Sequence, residues 1–260
     1  MDINGIVNNN NKISNRVMLH SLVGCPYKCQ YCFAKWEQYQ NNISYIENIR
    51  NNIIIYPFCD SEVLFQNHMD NLSVIADKSI HEKKRIVISI STKSNLSKSI
   101  LNDLESVHKK LKINGGFIKL GVSFSNKSIP TIEKGTTQYY ERIELLRKLS
   151  EYSIKVSVVL KPILPFITVG EYIEIVNETI RFTDKYLLGG LYVQEHTDFY
   201  KHYIEGKYIT TQRKVEWLTG VSWSYIDSAE TQNEIKSYIL SQGKFVFDSD
   251  QELVESWLSL

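Results

Sequence analysis

Apolar residues along this chain recur in two rhythms. Short runs alternate in or out with a period of two, and longer stretches repeat every three to four residues. Residues 16–22 read as a first strand and 34–51 as a helix. Residues 52–58 carry an Ile-rich run stopped by Pro57, which reads as a buried strand. Residues 66–84 are helical, 85–91 form a third strand, and 96–113 a helix with Ser97 placed to cap it. Gly115 and Gly116 turn the chain into a fourth strand over 117–124. A helix over 137–152 carries Ile143, Leu145, Leu146 and Leu149 on its apolar stripe. A fifth strand over 154–160, a helix over 168–185 and a sixth strand over 187–194, entered through Gly189 and Gly190, complete the series.

Repeated strand–helix alternation implies parallel strands joined by right-handed crossovers. A partial (β/α)6 barrel, similar to an open TIM barrel, accounts for it, with a doubly wound sheet as the competitor. Both place the chemistry at the C-terminal ends of the strands. Residues 1–12, with four consecutive Asn at 8–11, read as a flexible leader. The barrel then takes 13–196. Residues 197–260 are less regular and read as a capping extension, with a helix near 231–240, a strand over 245–247 and a helix from Gln251.

The 260 residues are 43% apolar and 23% charged, enough for one sizeable core, and the formal net charge is +1. Such a balance gives no whole-chain electrostatic reason to bind nucleic acid. No segment has the order of a signal peptide, and the most apolar stretch, 156–167, is interrupted by Lys161 and two prolines, too short for a bilayer. The expectation is a cytoplasmic protein away from the membrane.

Three of the four cysteines sit on one short loop after the first strand, as Cys25, Cys29 and Cys32, with Tyr31 just before the last. Secreted disulfide scaffolds distribute their cysteines in pairs, and this chain does not. A structural zinc knuckle would need a fourth ligand. His20 lies inside the first strand, Cys59 and His68 are distant, and there is no second CxxC. The other reading is a [4Fe–4S] cluster held by three thiolates, with one iron left open to a ligand from outside the chain. A zinc-binding interaction module without catalysis is the alternative.

The spacing C-x3-C-x-aromatic-C after the first strand of a half-open barrel resembles the radical S-adenosylmethionine (radical SAM) superfamily. The resemblance implies that Cys25, Cys29 and Cys32 ligate the cluster. It implies that the open iron binds S-adenosylmethionine and that an electron from the cluster cleaves the sulfonium. A 5′-deoxyadenosyl radical then abstracts hydrogen from a substrate. An enzyme of this kind performs lyase or oxidoreductase-type radical chemistry and takes its electron from a donor such as flavodoxin or ferredoxin.

Other strand ends are similar to the spore photoproduct lyase and DNA repair photolyase-like branch: the run from Ser91 to Ser94, Ser123-Phe124-Ser125, Glu133 to Thr136 with Glu141-Arg142, and Lys161 to Pro165. The superfamily's glycine-rich segment after the second strand is missing, and Asp60 or Ser61 stands there to receive the methionine ammonium. The resemblance assigns the nucleoside to Thr92, Lys93 and Ser94, with Ser123, Ser125, Glu133 and Arg142 as further binding candidates. Each has a plainer reading, as a helix cap, a polar loop or a surface Arg. Cys59 is the candidate hydrogen donor, or else a small core residue. His196, with Glu195, is a candidate acid–base pair, or else part of a solvated loop. The substrate implied is a nucleoside, a nucleic-acid lesion or a small biosynthetic metabolite. No cysteine follows Cys59, so ligands for a second cluster are lacking.

Overall fold

The computed structural model describes residues 16–19, 25–32, 53–57, 61–62, 68–214 and 222–258. The predicted leader, the helix over 34–51, Cys59 and Asp60 lie outside the described residues.

In chain order the elements are β1 (Arg16–Met18), β2 (Lys28–Cys29), β3 (Ile53–Tyr56), α1 (His68–His81), β4 (Ile86–Thr92), α2 (Lys98–Lys112) and β5 (Phe117–Ser123). A 3₁₀ turn at Pro130–Ile132 leads into β6 (Glu133–Lys134), then α3 (Tyr139–Leu149), β7 (Lys155–Leu160), α4 (Val169–Thr179), β8 (Lys185–Leu188) and β9 (Leu191–Val193). The chain ends with α5 (Asp198–Tyr203), β10 (Thr210–Lys214), β11 (Ser222–Ile226), α6 (Ala229–Ser241), β12 (Phe245–Phe247) and α7 (Asp250–Leu258).

Seven of these strands form one parallel sheet in the order β1-β3-β4-β5-β7-β8-β12. Along the chain the order never reverses. A doubly wound sheet reverses at its switch point, so the sheet is singly wound, as in a partial barrel. Alternate strand residues then serve two cores. Ile55, Ile88, Leu120 and Leu160 point toward the helices and pack in the main core with Leu104 and Leu145. Burying each such side chain stabilises the fold by about 1.5–3 kcal/mol.

The opposite, inner face carries Ile54, Val87 and Phe117. Val254 of α7 packs on them, and so does the partly buried Trp257. Leu253 of the same helix packs on Val159 and Leu187. Thus α7 lies against the inner face and closes one end of it.

Local capping agrees with the sequence. The Ser97 hydroxyl accepts the Ile100 N–H at 3.3 Å and starts α2, and Thr168 does the same for Glu171 at 3.2 Å, starting α4.

Two expectations are corrected. The predicted sixth strand over 187–194 is two strands. β8 stays in the parallel sheet, and β9 leaves it for a three-stranded antiparallel sheet, β10-β11-β9. Gly189 and Gly190 are the break between them, not an entry to one strand. A Cβ on Gly190 would lie 2.6 Å from the Tyr225 hydroxyl, so only glycine lets β11 pass there. The helix expected to run to 185 stops at Thr179, because Lys185 already belongs to β8. The sheet also has a seventh strand, β12, contributed by the segment read as an extension. Among the described residues, no helix is long and apolar enough to cross a membrane.

Candidate functional site

The cysteine loop is anchored across the C-terminal end of the sheet by a two-residue antiparallel bridge. Lys28 pairs with Lys134 and Cys29 with Glu133. The Gln30 N–H extends the bridge to the Ile132 carbonyl at 2.8 Å, and the Gln30 amide reaches the Thr131 carbonyl at 3.1 Å. The Cys32 N–H closes a turn onto the Cys29 carbonyl at 3.2 Å. Cys29 is buried, while Cys25 and Cys32 are half-buried, and all three are free thiols.

Behind the loop stands Glu133, 3% exposed. Its carboxylate accepts hydrogen bonds from the Tyr31 hydroxyl and, at 2.8 Å, from Ser125. Arg142 donates to its other oxygen at 2.6 Å, and Lys93 approaches at 3.9 Å. Arg142 is itself fixed by the Ser123 carbonyl at 2.7 Å and the Thr137 carbonyl at 3.0 Å. A buried carboxylate is tolerable only when paired and hydrogen-bonded, and this one has four partners. Burial pushes its pKa up, but Lys93, Arg142 and the hydrogen bonds outweigh it and hold the pKa below the usual range. Lys93 shows the reverse balance: burial pulls it down, and Glu133 and Cys29 raise it overall. Glu133 and Arg142 together link the cysteine loop to β5 and α3.

A second carboxylate, Glu62, was not singled out from the sequence. It follows β3, is 4% exposed, and accepts from the Thr92 hydroxyl at 2.7 Å and the Lys93 N–H at 3.0 Å. Its backbone lies against the Cys25 thiol. The Thr92 hydroxyl in turn accepts the Ser94 N–H at 2.9 Å, and Ser94 meets the Tyr27 hydroxyl at 2.5 Å. The half-buried Ser61 precedes Glu62. The ends of β3, β4 and β5 therefore converge with the loop, and Ser61, Thr92, Lys93, Ser94, Ser123, Ser125, Glu133 and Arg142 come to one end of the sheet. His196 is exposed on the turn between β9 and α5. Its neighbour Glu195 is taken up by Gln212 and Ser224, at 2.6 and 2.5 Å. Phe199 of α5 meets Tyr31 edge-on at 6.2 Å, which brings that turn to the same end.

The donor set fits an iron–sulfur cluster. Burial raises the Cys25 thiol, and it pushes Cys29 up to about 12, with Lys93 opposing that rise. Each of these two thiols also feels Cys32. Thiols of this kind give up their protons on binding iron, so loading is coupled to proton release. Among the described residues, no three His, Cys, Asp or Glu side chains surround a single-ion position. A cube binds each thiolate through a different iron, so its ligands need not converge as those of one zinc ion must.

No family model matches the chain. The uncharacterized protein MJ0683 of Methanocaldococcus jannaschii is 30% identical over 236 residues, which cover 85% of this chain and 86% of that protein. Among solved structures, a tyrosine-to-phenylalanine mutant of spore photoproduct lyase is similar with TM-score 0.63 at 16% identity, covering 87% of this chain and 74% of that one. SuiB of Streptococcus suis matches with TM-score 0.52 at 15% identity, over 90% of this chain and 48% of its own. The radical S-adenosylmethionine methyltransferase TsrM of Kitasatospora setae matches with TM-score 0.52 at 9% identity, over 87% and 52%. The chain belongs to the same family as the M. jannaschii protein, and its fold is the radical SAM fold.

Proposed function

We propose that this protein is a radical SAM enzyme that binds one [4Fe–4S] cluster through Cys25, Cys29 and Cys32, with S-adenosylmethionine beside it. The observation that carries the reading is the placement of three free thiols on one anchored loop, at the C-terminal end of a radical SAM fold. When bound, the cluster supplies an electron to the sulfonium and so starts hydrogen abstraction from a substrate.

The residues of the chain prepare that site. Glu133 and Arg142 hold Tyr31 and Ser125 in place, and Tyr31 with Phe199 shields the Cys29 side from water. Shielding of this kind sets the reduction potential of a cluster. Glu62 orients the turn from Thr92 to Ser94, so the Lys93 ammonium stands between Glu133 and Cys29. That ammonium and the hydroxyls around it are suited to the carboxylate and ribose of S-adenosylmethionine. Asp60 and Ser61 are assigned to its ammonium, Cys59 to hydrogen return and His196 to proton transfer. A flavodoxin- or ferredoxin-like protein is the assigned electron donor.

The substrate is a nucleoside, a nucleic-acid lesion or a small metabolite. One structurally similar spore photoproduct lyase is complexed with dinucleoside spore photoproduct, which keeps lesions in this set. The test is anaerobic reconstitution with iron and sulfide, reduction with dithionite, and chromatography for 5′-deoxyadenosine. The wild-type protein is expected to release it from S-adenosylmethionine, and a Cys29→Ala variant is not. A reduced, brown, reconstituted protein that releases none would overturn the reading, and a colourless zinc protein would favour the interaction module.

A further inference from the structure

The bridge that anchors the cysteine loop has two unlike faces. Residues paired directly across antiparallel strands share a face, and successive residues along a strand alternate between faces. Cys29 and Glu133 form one such pair, and both are buried. Lys28 and Lys134 form the next pair, so they stand together on the opposite face, and both are exposed.

Like charges directly opposite each other destabilise a strand pair, and here nothing relieves the repulsion. Among the described residues, neither lysine has an ion-pair partner. Other surface lysines of this chain are provided for: Lys109 has Glu105 at 3.0 Å, Lys110 has Asp77 at 2.7 Å and Lys127 has Glu178 at 2.9 Å. The nearby carboxylate does not offset the two charges, because Glu133 points inward and is already matched by Arg142 and Lys93. Segments 25–32 and 127–137 contain no acid besides Glu133. The exposed neighbours Pro26, Gln30 and Thr131 are uncharged. The result is a local positive face on a chain whose formal net charge is only +1.

We propose that Lys28 and Lys134 form the docking face for an acidic one-electron carrier protein. The inference rests on the reading of the three cysteines as cluster ligands, and it adds where the electron donor binds. Lys28 is next to Cys29 in the chain, and Lys134 is paired across from Lys28, so a carrier seated on both is separated from the Cys29 thiolate by the thickness of the bridge. In the exchange the carrier is oxidised by one electron and the cluster is reduced by one, with no bond made or broken.

The two-sided bridge selects this partner over an anionic substrate. Ser125 and Lys93 contact Glu133 on its buried side, together with the ends of β4 and β5. Small molecules that use those groups approach from that side. The lysine face is left to a partner that arrives from solvent. Complementary charge on such a partner acts mainly on the rate of encounter and on its salt dependence.

The test is binding of the anaerobically reconstituted full chain to an immobilised flavodoxin of acidic surface, followed by surface plasmon resonance at roughly 50 and 300 mM salt. The wild-type protein is expected to bind at low salt and to lose most of that binding at high salt. The double variant Lys28→Gln, Lys134→Gln is expected to bind about tenfold more weakly at low salt, through slower association. The double variant Lys28→Arg, Lys134→Arg is expected to bind as wild type does. Thermal unfolding separates docking from a structural role: the double Gln variant is expected to have a Tm no lower than wild type, because it removes a repulsion. Equal binding by wild type and the double Gln variant, binding indifferent to salt, or a Tm several degrees lower would overturn the assignment. So would lysine-dependent binding of a single-stranded oligonucleotide with none of the flavodoxin. The readout needs no turnover, so it separates from the function test. Protein that forms 5′-deoxyadenosine with dithionite, but whose flavodoxin binding ignores both lysines, loses this inference alone.

Discussion

Glu133 and Arg142 show how single residues carry the site. In the sequence Glu133 was legible as a polar residue in a loop after a strand, and Arg142 as an Arg opening a helix. Their geometry was not legible, because the four partners of Glu133 come from 31, 93, 125 and 142. Glu62 was harder still. Its partner Thr92 lies 30 residues on, and the one local signal was an acid after a strand end. His108 gives a residue-scale prediction. It is 1% exposed, and its Nδ1 accepts the Ile118 N–H at 3.2 Å, so it is neutral in the fold. Burial, helped by Lys112 and Lys155, lowers its pKa from 6.5 to about 4. The unfolded chain therefore takes up the proton first. The contribution of His108 is fully present above about pH 6.5 and is lost as pH falls toward about 4. The loss is on the order of 3 kcal/mol. His108→Asn keeps an acceptor and removes the titration. Urea unfolding between pH 7 and 4 should show a flatter stability profile for this variant, and an unchanged slope would refute the assignment.

At the scale of elements, β2 and β6 are two residues each, yet they hold the cysteine loop. Short bridges of this kind leave no periodic signal, so the sequence showed the loop and not its anchor. Gly135 ends β6 with φ +87°, a conformation that costs an L-residue about 1–2 kcal/mol. Gly135→Ala is expected to loosen the bridge and leave the sheet intact. Hydrogen exchange should quicken about tenfold at the Gln30 amide, which bonds Ile132, and stay unchanged at Leu120. Equal protection at Gln30 would show that the loop does not depend on β6. Strands β4, β5 and β7 were legible because their apolar alternation is local. β10 was not, since Thr210–Lys214 is polar throughout and mostly exposed. Gly189 and Gly190 read in the sequence as the entry to one strand, because the cause of the break, Tyr225, is supplied from β11.

For the molecule as a whole, alternation of strands and helices was enough to find a partial barrel. It was not enough to find how the barrel is finished. β12 and α7 come from a stretch with weak patterning, yet they add the last strand and cover the apolar floor of the inner face. Asp250 then neutralises Lys119. The three cysteines thus sit on a loop at one end of that sheet, where we propose that the cluster assembles. Iron and acid-labile sulfide analysis of anaerobically reconstituted protein tests that assembly most directly. About four of each per chain are expected, with loss of both in the Cys25, Cys29 and Cys32 triple alanine variant. Zinc without sulfide, or iron and sulfide retained by the triple variant, would contradict it.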